Sequence, residues 1–169
     1  MKEDKKTGTA AYSKTQKSDS RKKPEIRLIR SLDKIPPGIG IKGLTKFLHE
    51  SLKPFEDTLE DIERGIRDAL TAKGRKGGFL LIATSERKPV GALVMQRTGM
   101  KGYVPENILL FIAVSPDQRN RGIGRLLVER AIRLAEGSIK LHVEYDNPAR
   151  RLYERAGFTS KYAEMRYVK

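Results

Sequence analysis

The most constraining stretch of this chain changes its period twice. An apolar run, I-L-L-F-I-A-V (Ile108 to Val114), gives way to S-P-D-Q, then to R-N-R-G-I-G (Arg119 to Gly124), and then to R-L-L-V-E-R-A-I-R-L-A-E, where apolar residues recur at helical spacing. This reads as a strand that becomes a helix through two glycines. Successive backbone N–H groups turned inward ahead of a helix, with the positive end of that helix, form an anion site, and glycine is needed where a ligand approaches the backbone closely. A diphosphate fits that description, and Arg119, Arg121 and Arg125 add positive charge around the rim. A dinucleotide-binding fingerprint would want a third glycine three residues beyond Gly124; Leu127 stands there, and the motif is central rather than attached to an early strand.

The rest of the chain organises around that switch. I-R-L-I-R, from Ile26, alternates apolar and charged residues as a strand does, and P-P-G at Pro36 to Gly38 ends it. Ile41, Leu44, Phe47, Leu48 and Leu52 have helical spacing, with Pro54 as the stop. A second helix is expected to be capped by Asp57 with Glu60 three residues on, and to bury Leu59, Ile62, Ile66 and Leu70. G-R-K-G-G turns into the strand F-L-L-I-A-T-S, and E-R-K-P turns that into V-G-A-L-V-M-Q, an antiparallel pair. After the central helix, expected from Gly122 to about Glu136, come a strand Ile139 to Tyr145, a helix Pro148 to Ala156, and a closing strand near Y-A-E-M-R-Y-V. Crossover helices between neighbouring strands force at least one parallel pairing, so the prediction is a mixed α/β sheet with helices on its faces.

Composition narrows the chemistry. At 169 residues with 38% hydrophobic, the chain is long enough for one domain with a real core. There is no cysteine, which excludes disulfides, thiolate metal sites and a cysteine nucleophile; His49 and His142 are the only imidazoles, and a metal enzyme is not expected. No apolar stretch is long enough to span a membrane and no signal-peptide core is present, so the expected compartment is the cytoplasm. The net charge of +14 suits nucleic acid, phosphorylated cofactors or acidic partners without choosing among them. Met1 to Pro24, rich in lysine and nearly devoid of apolar residues, reads as a disordered basic tail ahead of a domain spanning 25–169; it is either a contact for an acidic macromolecule or a solubilising leader.

A second block carries the functional reading further. D-N-P-A-R-R-L-Y-E-R-A-G-F (Asp146 to Phe158) follows a strand, as R-N-R-G-I-G does. Together the two segments resemble the GCN5-related N-acetyltransferase (GNAT) superfamily, whose acetyl-CoA motif is R/Q-x-x-G-x-G/A and whose second block is N-x-x-A-x-x-x-Y-x-x-x-G-F. Arg119, Gly122 and Gly124 fill the first motif; Tyr153, Gly157 and Phe158 fall in the second. Counting back from Tyr153 puts the family's asparagine at Asp146, with Asn147 one residue on and well suited to cap a helix beginning at Pro148.

The resemblance implies a twisted, mostly antiparallel central sheet with a parallel pair at the cofactor site and helices on both faces. It also implies acetyl-CoA as acyl donor, without a metal. The diphosphate would sit on the amides of Arg119, Asn120, Arg121, Gly122, Ile123 and Gly124, with Arg125 and Asn147 nearby, and Ile112, Ala113 and Val114 would pair with the pantetheine arm and polarise the thioester carbonyl. Tyr153 would protonate the departing thiolate as general acid. The simplest chemistry is direct attack by a primary amine, whose need for a base depends on whether it is lysine-like (pKa about 10.4) or an α-amino group (about 7.7–8.0). The position where many protein-acetylating members carry a glutamate base is Ile108 here; Glu106, two residues earlier on the same strand face, is the candidate base, and His142 and Glu144 are expected on the polar face of their strand. The helices that wall the acceptor carry Glu50, Glu56, Asp57, Glu60, Asp61 and Glu63, suited to a cationic amine or simply a solvated face. The acceptor, small amine or protein amine, stays open, as does the oligomeric state, homodimer included. The rival readings are a basic nucleic-acid-binding module and an inactive acyl-CoA-binding protein.

Overall fold

The structure is a computed structural model that describes residues 23–71 and 77–169. All but the last two residues of the basic tail and most of the G-R-K-G-G turn therefore lie outside the described residues. The elements, in order, are β1 (Glu25–Ile29), α1 (Gly40–Leu52), α2 (Leu59–Leu70), β2 (Gly78–Ser85), β3 (Lys88–Arg97), β4 (Asn107–Val114), α3 (Ile123–Leu134), β5 (Ile139–Leu141) and α4 (Arg150–Arg155). The strands form one sheet in the order β1-β2-β3-β4-β5. Pairings are antiparallel through β4, while β5 joins β4 in parallel after the α3 crossover.

Strands β2 and β3 sit mid-sheet with both faces covered, which is why their sequences are continuous apolar runs rather than alternating ones. Leu80, Ile82, Ala92 and Val94 face one core, under α1 and α2. Leu81, Ala83, Leu93 and Met95 face the other, together with Ile123, Leu127 and Val128 of α3 and Tyr153 of α4. Helices thus cover both faces, as the mixed α/β expectation requires.

Several boundaries differ from expectation for identifiable reasons. The cap of α2 is Thr58, not Asp57: its Oγ1 accepts from the Asp61 amide at 3.1 Å and donates to Asp61 Oδ2 at 2.9 Å, a reciprocal capping arrangement shifted one residue along. Leu59 becomes the first helical residue and stays 44% exposed, and Ala69 takes its place in the buried stripe. Gly122 is the cap of α3 rather than its first residue, and the helix ends at Leu134. Strand β5 stops at Leu141 instead of Tyr145, so His142 and Glu144 lie beyond it rather than on a strand face. The closing segment around Tyr162 to Val168 forms no strand, and its Tyr162, Met165, Tyr167 and Val168 are exposed.

The early end of β5 has its cause in β4. In the β3–β4 register Val94 faces Phe111 and Met95 faces Leu109, which leaves Leu110 as an extra residue. Such a bulge points two successive side chains to one face and bends the strand. Leu110 and Phe111 accordingly both pack toward the α1/α2 core, while Leu109 and Ile112 belong to the opposite one. The last residue of β4 that pairs with β5 is Leu109. Beyond the bulge, Leu110 to Val114 keep β3 on one side and have no strand on the other among the described residues.

Candidate active site

The open edge of β4 leads directly into the loop that begins α3. The Ser115 amide donates to Val90 O at 3.0 Å, so it points toward β3. Strand alternation then turns the N–H and C=O groups of Ile112 and Val114 outward, to the free edge. A single 3-10 turn, Pro116 to Gln118, follows. Asn120 and Gly122 then adopt left-handed conformations, with φ of +62° and +80°. Asparagine tolerates that region and glycine enters it without strain. Turns built on such residues aim successive amides to one side.

The first backbone bond of the helix runs from Leu126 N to Gly122 O at 3.0 Å, and the amides of Asn120, Gly122, Ile123, Gly124 and Arg125 have no protein acceptor among the described residues. The two glycines serve different ends. A Cβ on Gly122 would meet nothing within 4 Å, so its requirement is conformational; one on Gly124 would stand 3.2 Å from Leu152 Cδ2 and 3.7 Å from Val114 Cγ2, so its requirement is the close seating of α3 on α4 and β4.

The rim arginines are engaged by protein groups. Arg125 pairs with Glu129 at 2.6 Å, and Arg121 donates to Gln118 Oε1 at 2.7 Å. Arg119 turns away from the amide row: Nη2 donates to Ser51 O at 2.8 Å and Nε to Val114 O at 3.3 Å. Asp117 beside the loop accepts from Ser115 Oγ and from Gln118 Nε2, contacts that hold its carboxyl below the usual carboxylate range.

Tyr153 is buried in the core beneath α3, 7% exposed, with its ring edge-on to Phe158 at a centroid distance of 6.0 Å. Burial pushes its phenol up to about 12, and the negative charge of Glu144 adds to the shift. Its hydroxyl makes no hydrogen bond with the described residues, and it is not sealed: Thr45 Oγ1 is the one fully buried side-chain polar atom among them that lacks a partner. The ring is fixed by packing while the hydroxyl is available to a ligand.

The other sequence-derived candidates are placed as follows. Asn147 closes its own turn: Oδ1 accepts from the Ala149 amide at 2.9 Å and Nδ2 donates to Glu144 Oε2 at 3.2 Å. Asp146 is exposed beside it. Glu106 sits just before β4, at the end opposite the amide row; the Ser138 amide donates to its Oε2 at 2.8 Å and is the largest cause of a carboxyl held below the usual range. His142 Nε2 is 3.8 Å from Glu164 Oε2 in the C-terminal segment. On the α1 and α2 faces Glu50, Asp61 and Glu63 pair with Lys46, Arg64 and Arg67, whereas Glu56, Asp57 and Glu60 form no salt bridge among the described residues. Those residues contain no cluster of metal-ligating side chains, and none of their helices is long and apolar enough to cross a membrane.

Sequence reasoning found the amide row through its glycines. It missed the bulge at Leu110 and the Arg119–Ser51 bond, which joins residues 68 positions apart and leaves no local signal.

The family model for the acetyltransferase (GNAT) domain matches residues 76–160, the stretch that contains β2 to α4 and the amide row. The chain belongs to the GNAT acetyltransferase family. No curated protein matches the sequence. Among solved structures, a Pyrococcus furiosus protein proposed to be an acetyl transferase is 25% identical, with 86% of this chain and all of that one covered at a TM-score of 0.53. A possible acetyltransferase from Clostridium difficile 630 is 18% identical, with 88% and 98% covered at a TM-score of 0.60. An aminoglycoside acetyltransferase from an uncultured soil metagenomic sample is also 18% identical, with 86% and 97% covered at 0.61. The fold is that of a GNAT acetyltransferase, and membership of the family makes acetyl transfer the general activity of this domain.

Proposed function

We propose that this protein is an N-acetyltransferase that moves the acetyl group of acetyl-CoA to a primary amine by direct attack in a ternary complex. The observation that carries this reading is the continuity of an open strand edge, Leu110 to Val114, with the amides of Asn120, Gly122, Ile123, Gly124 and Arg125, which have no protein acceptor among the described residues. The diphosphate binds that row, completing donors that the described residues leave unsatisfied and drawing on the positive end of α3. The pantetheine arm extends along the β4 edge and pairs with the outward N–H and C=O groups of Ile112 and the outward N–H of Val114, whose carbonyl accepts from Arg119. The thioester then lies near the bulge, where an outward amide polarises its carbonyl; a preorganised donor in a water-poor site is the effective kind of oxyanion stabiliser.

The amine attacks the carbonyl carbon, the tetrahedral intermediate collapses, the C–S bond breaks, and Tyr153 supplies a proton to the departing sulfur. A phenol near 12 stays protonated at every working pH, as a general acid must. The burial that disfavours its anion equally disfavours a free thiolate, so the two acids are raised together. We read Glu106 as an anchor of the β4–β5 join rather than as the base, because its carboxylate already accepts from Ser138. The acceptor is a cationic amine approached past Glu56, Asp57 and Glu60; it gives one proton to solvent before it attacks, and the second, lost from nitrogen once the C–N bond has formed, returns Tyr153 to its protonated form.

The test is calorimetric titration with acetyl-CoA and with desulfo-CoA, followed by assay of thiol release with a panel of mono-, di- and polyamines and a lysine-containing peptide. About one acetyl-CoA per chain, with amine-dependent thiol release, is expected. Saturable binding without turnover on any amine would leave an acyl-CoA-binding protein, and no binding at all would sink the assignment.

A further inference from the structure

The arginine that opens the amide row has a guanidinium that serves another element. Arg119 Nη2 donates to the carbonyl of Ser51 at 2.8 Å, and Nε to that of Val114 at 3.3 Å. Its own amide donates to Pro116 O at 3.4 Å, so neither end of the residue belongs to the unpartnered row. Ser51 is buried in the last turn of α1, 6% exposed. Carbonyls in a last turn have no intrahelical donor and lie at the negative end of the helix dipole, where a cation is favoured. One side chain thus caps α1 and closes the end of β4. Two residues before Ser51, the His49 ring Nδ1 is 3.1 Å from Asp57 O, bonding the helix end to the α1–α2 connection that carries Glu56 and Asp57.

We propose that Arg119 is a positioning residue that couples occupancy of the amide row to the order of the acceptor wall. The inference rests on the reading of that row as a diphosphate site. A ligand on the row stabilises the left-handed turn at Asn120 and Gly122, and that turn is the conformation from which Arg119 reaches Ser51. The α1 end and the α1–α2 connection are thereby held in place when cofactor is bound, and by reciprocity an acceptor that orders the wall tightens cofactor binding.

Hydrogen exchange followed by mass spectrometry, with and without saturating acetyl-CoA, tests this in the full chain. In the wild type, ligand slows exchange at 119–126 and, several-fold, at 49–58. In Arg119→Gln, whose shorter side chain cannot reach Ser51, the slowing at 119–126 persists and that at 49–58 falls to less than a third. Arg119→Lys, which keeps charge and reach but a single donor group, retains about half. Exchange at 49–58 that rises equally with and without ligand would mean a static brace and overturn the coupling. So would ligand protection at 49–58 that is absent in the wild type or unchanged in Arg119→Gln. Loss of protection at 119–126 in Arg119→Gln would make Arg119 part of the cofactor site and overturn it as well. Failure of the wild-type row itself to be protected would instead remove the diphosphate reading.

Discussion

The two ends of β4 differ in what they do with their polar groups. At the first end, Asn107 is 2% exposed, its side-chain amide donates to Glu136 O at 2.8 Å and Ser138 O at 3.2 Å, and its backbone N–H donates to Ser138 O at 3.0 Å. Glu106 accepts from the Ser138 amide beside it. At the other end, among the described residues, the edge has no strand and five amides have no protein acceptor, and one arginine bridges to a distant helix. Eight residues of one strand therefore run from a saturated join to an unsatisfied template. The stability of the sheet is set at the first end, where a lost partner strands a buried group, and ligand capacity at the second, where a missing partner can be supplied from solution.

The largest expected effect falls on the open end. Tyr153→Phe keeps the ring in its core position and removes only the hydroxyl, so turnover should fall by roughly 10²–10⁴ while acetyl-CoA affinity stays within about threefold. Turnover that stays at the wild-type level would show that Tyr153 supports the site through packing alone, and a loss of affinity equal to the loss of turnover would make its hydroxyl a binding group rather than the acid. The raised phenol also has a stability signature. Its folded pKa lies above the value of an exposed tyrosine, about 10, so its contribution is complete below pH 10 and is lost as pH rises toward 12. Alkaline melting curves of wild type and Tyr153→Phe should diverge in that window, with the phenylalanine variant the flatter.

Asn107→Ala tests the closed end. It removes the side-chain donor from the Glu136 and Ser138 carbonyls in a part-buried setting, a loss of about 1 kcal/mol and a fall in melting temperature of about 3 °C. The folded fraction should still bind acetyl-CoA normally. A large loss of affinity in fully folded protein would mean that the two ends are not independent.

The sheet was legible where burial alone decides. The middles of strands β2 to β4 are continuous apolar runs because both faces are covered, and α3 declares itself by its period and by glycines at positions that demand them. Legibility stopped where a choice depends on a remote partner. Asp57 and Thr58 are both capping residues, and each has an acidic residue three positions on, so the register of that cap was degenerate in sequence. Leu141 and Tyr145 look alike as strand residues; what ends β5 is a bulge at Leu110 on another strand. Asn147 and Asp146 competed for one family role, yet the geometry uses Asn147 to close its own turn. The Arg119–Ser51 bond had no neighbour in sequence to announce it.

Gly122→Ala sharpens the comparison at the loop. A left-handed φ of +80° costs an alanine about 1–2 kcal/mol, and the penalty falls on the ligand-ready conformation, so acetyl-CoA affinity should weaken about 5- to 30-fold with little change in melting temperature. Gly124→Ala should do the reverse. Its Cβ meets Leu152 rather than open space, so packing is disturbed and the amide row is not.

The smallest effect belongs to Glu106→Gln, and it decides what that carboxylate is for. A general base lost to glutamine would lower turnover by roughly 10²-fold or more and remove the acidic limb of the pH–rate profile. An anchor would not. The Ser138 amide favours the ionised form, so the folded pKa of Glu106 lies below its ordinary value near 4.5. A depressed carboxyl contributes stability above that ordinary value, and the contribution disappears as pH falls through the folded pKa. Glutamine keeps an oxygen that can accept from Ser138 but has no proton to gain. The expected outcome is turnover within about twofold of wild type at neutral pH, slightly lower stability there, and a shallower loss of stability on acidification below pH 4.5. Urea titrations across that range and steady-state rates at neutral pH are sufficient, and a collapse in turnover with an unchanged acid-stability curve would move Glu106 from the closed end of the strand into the chemistry of the open one.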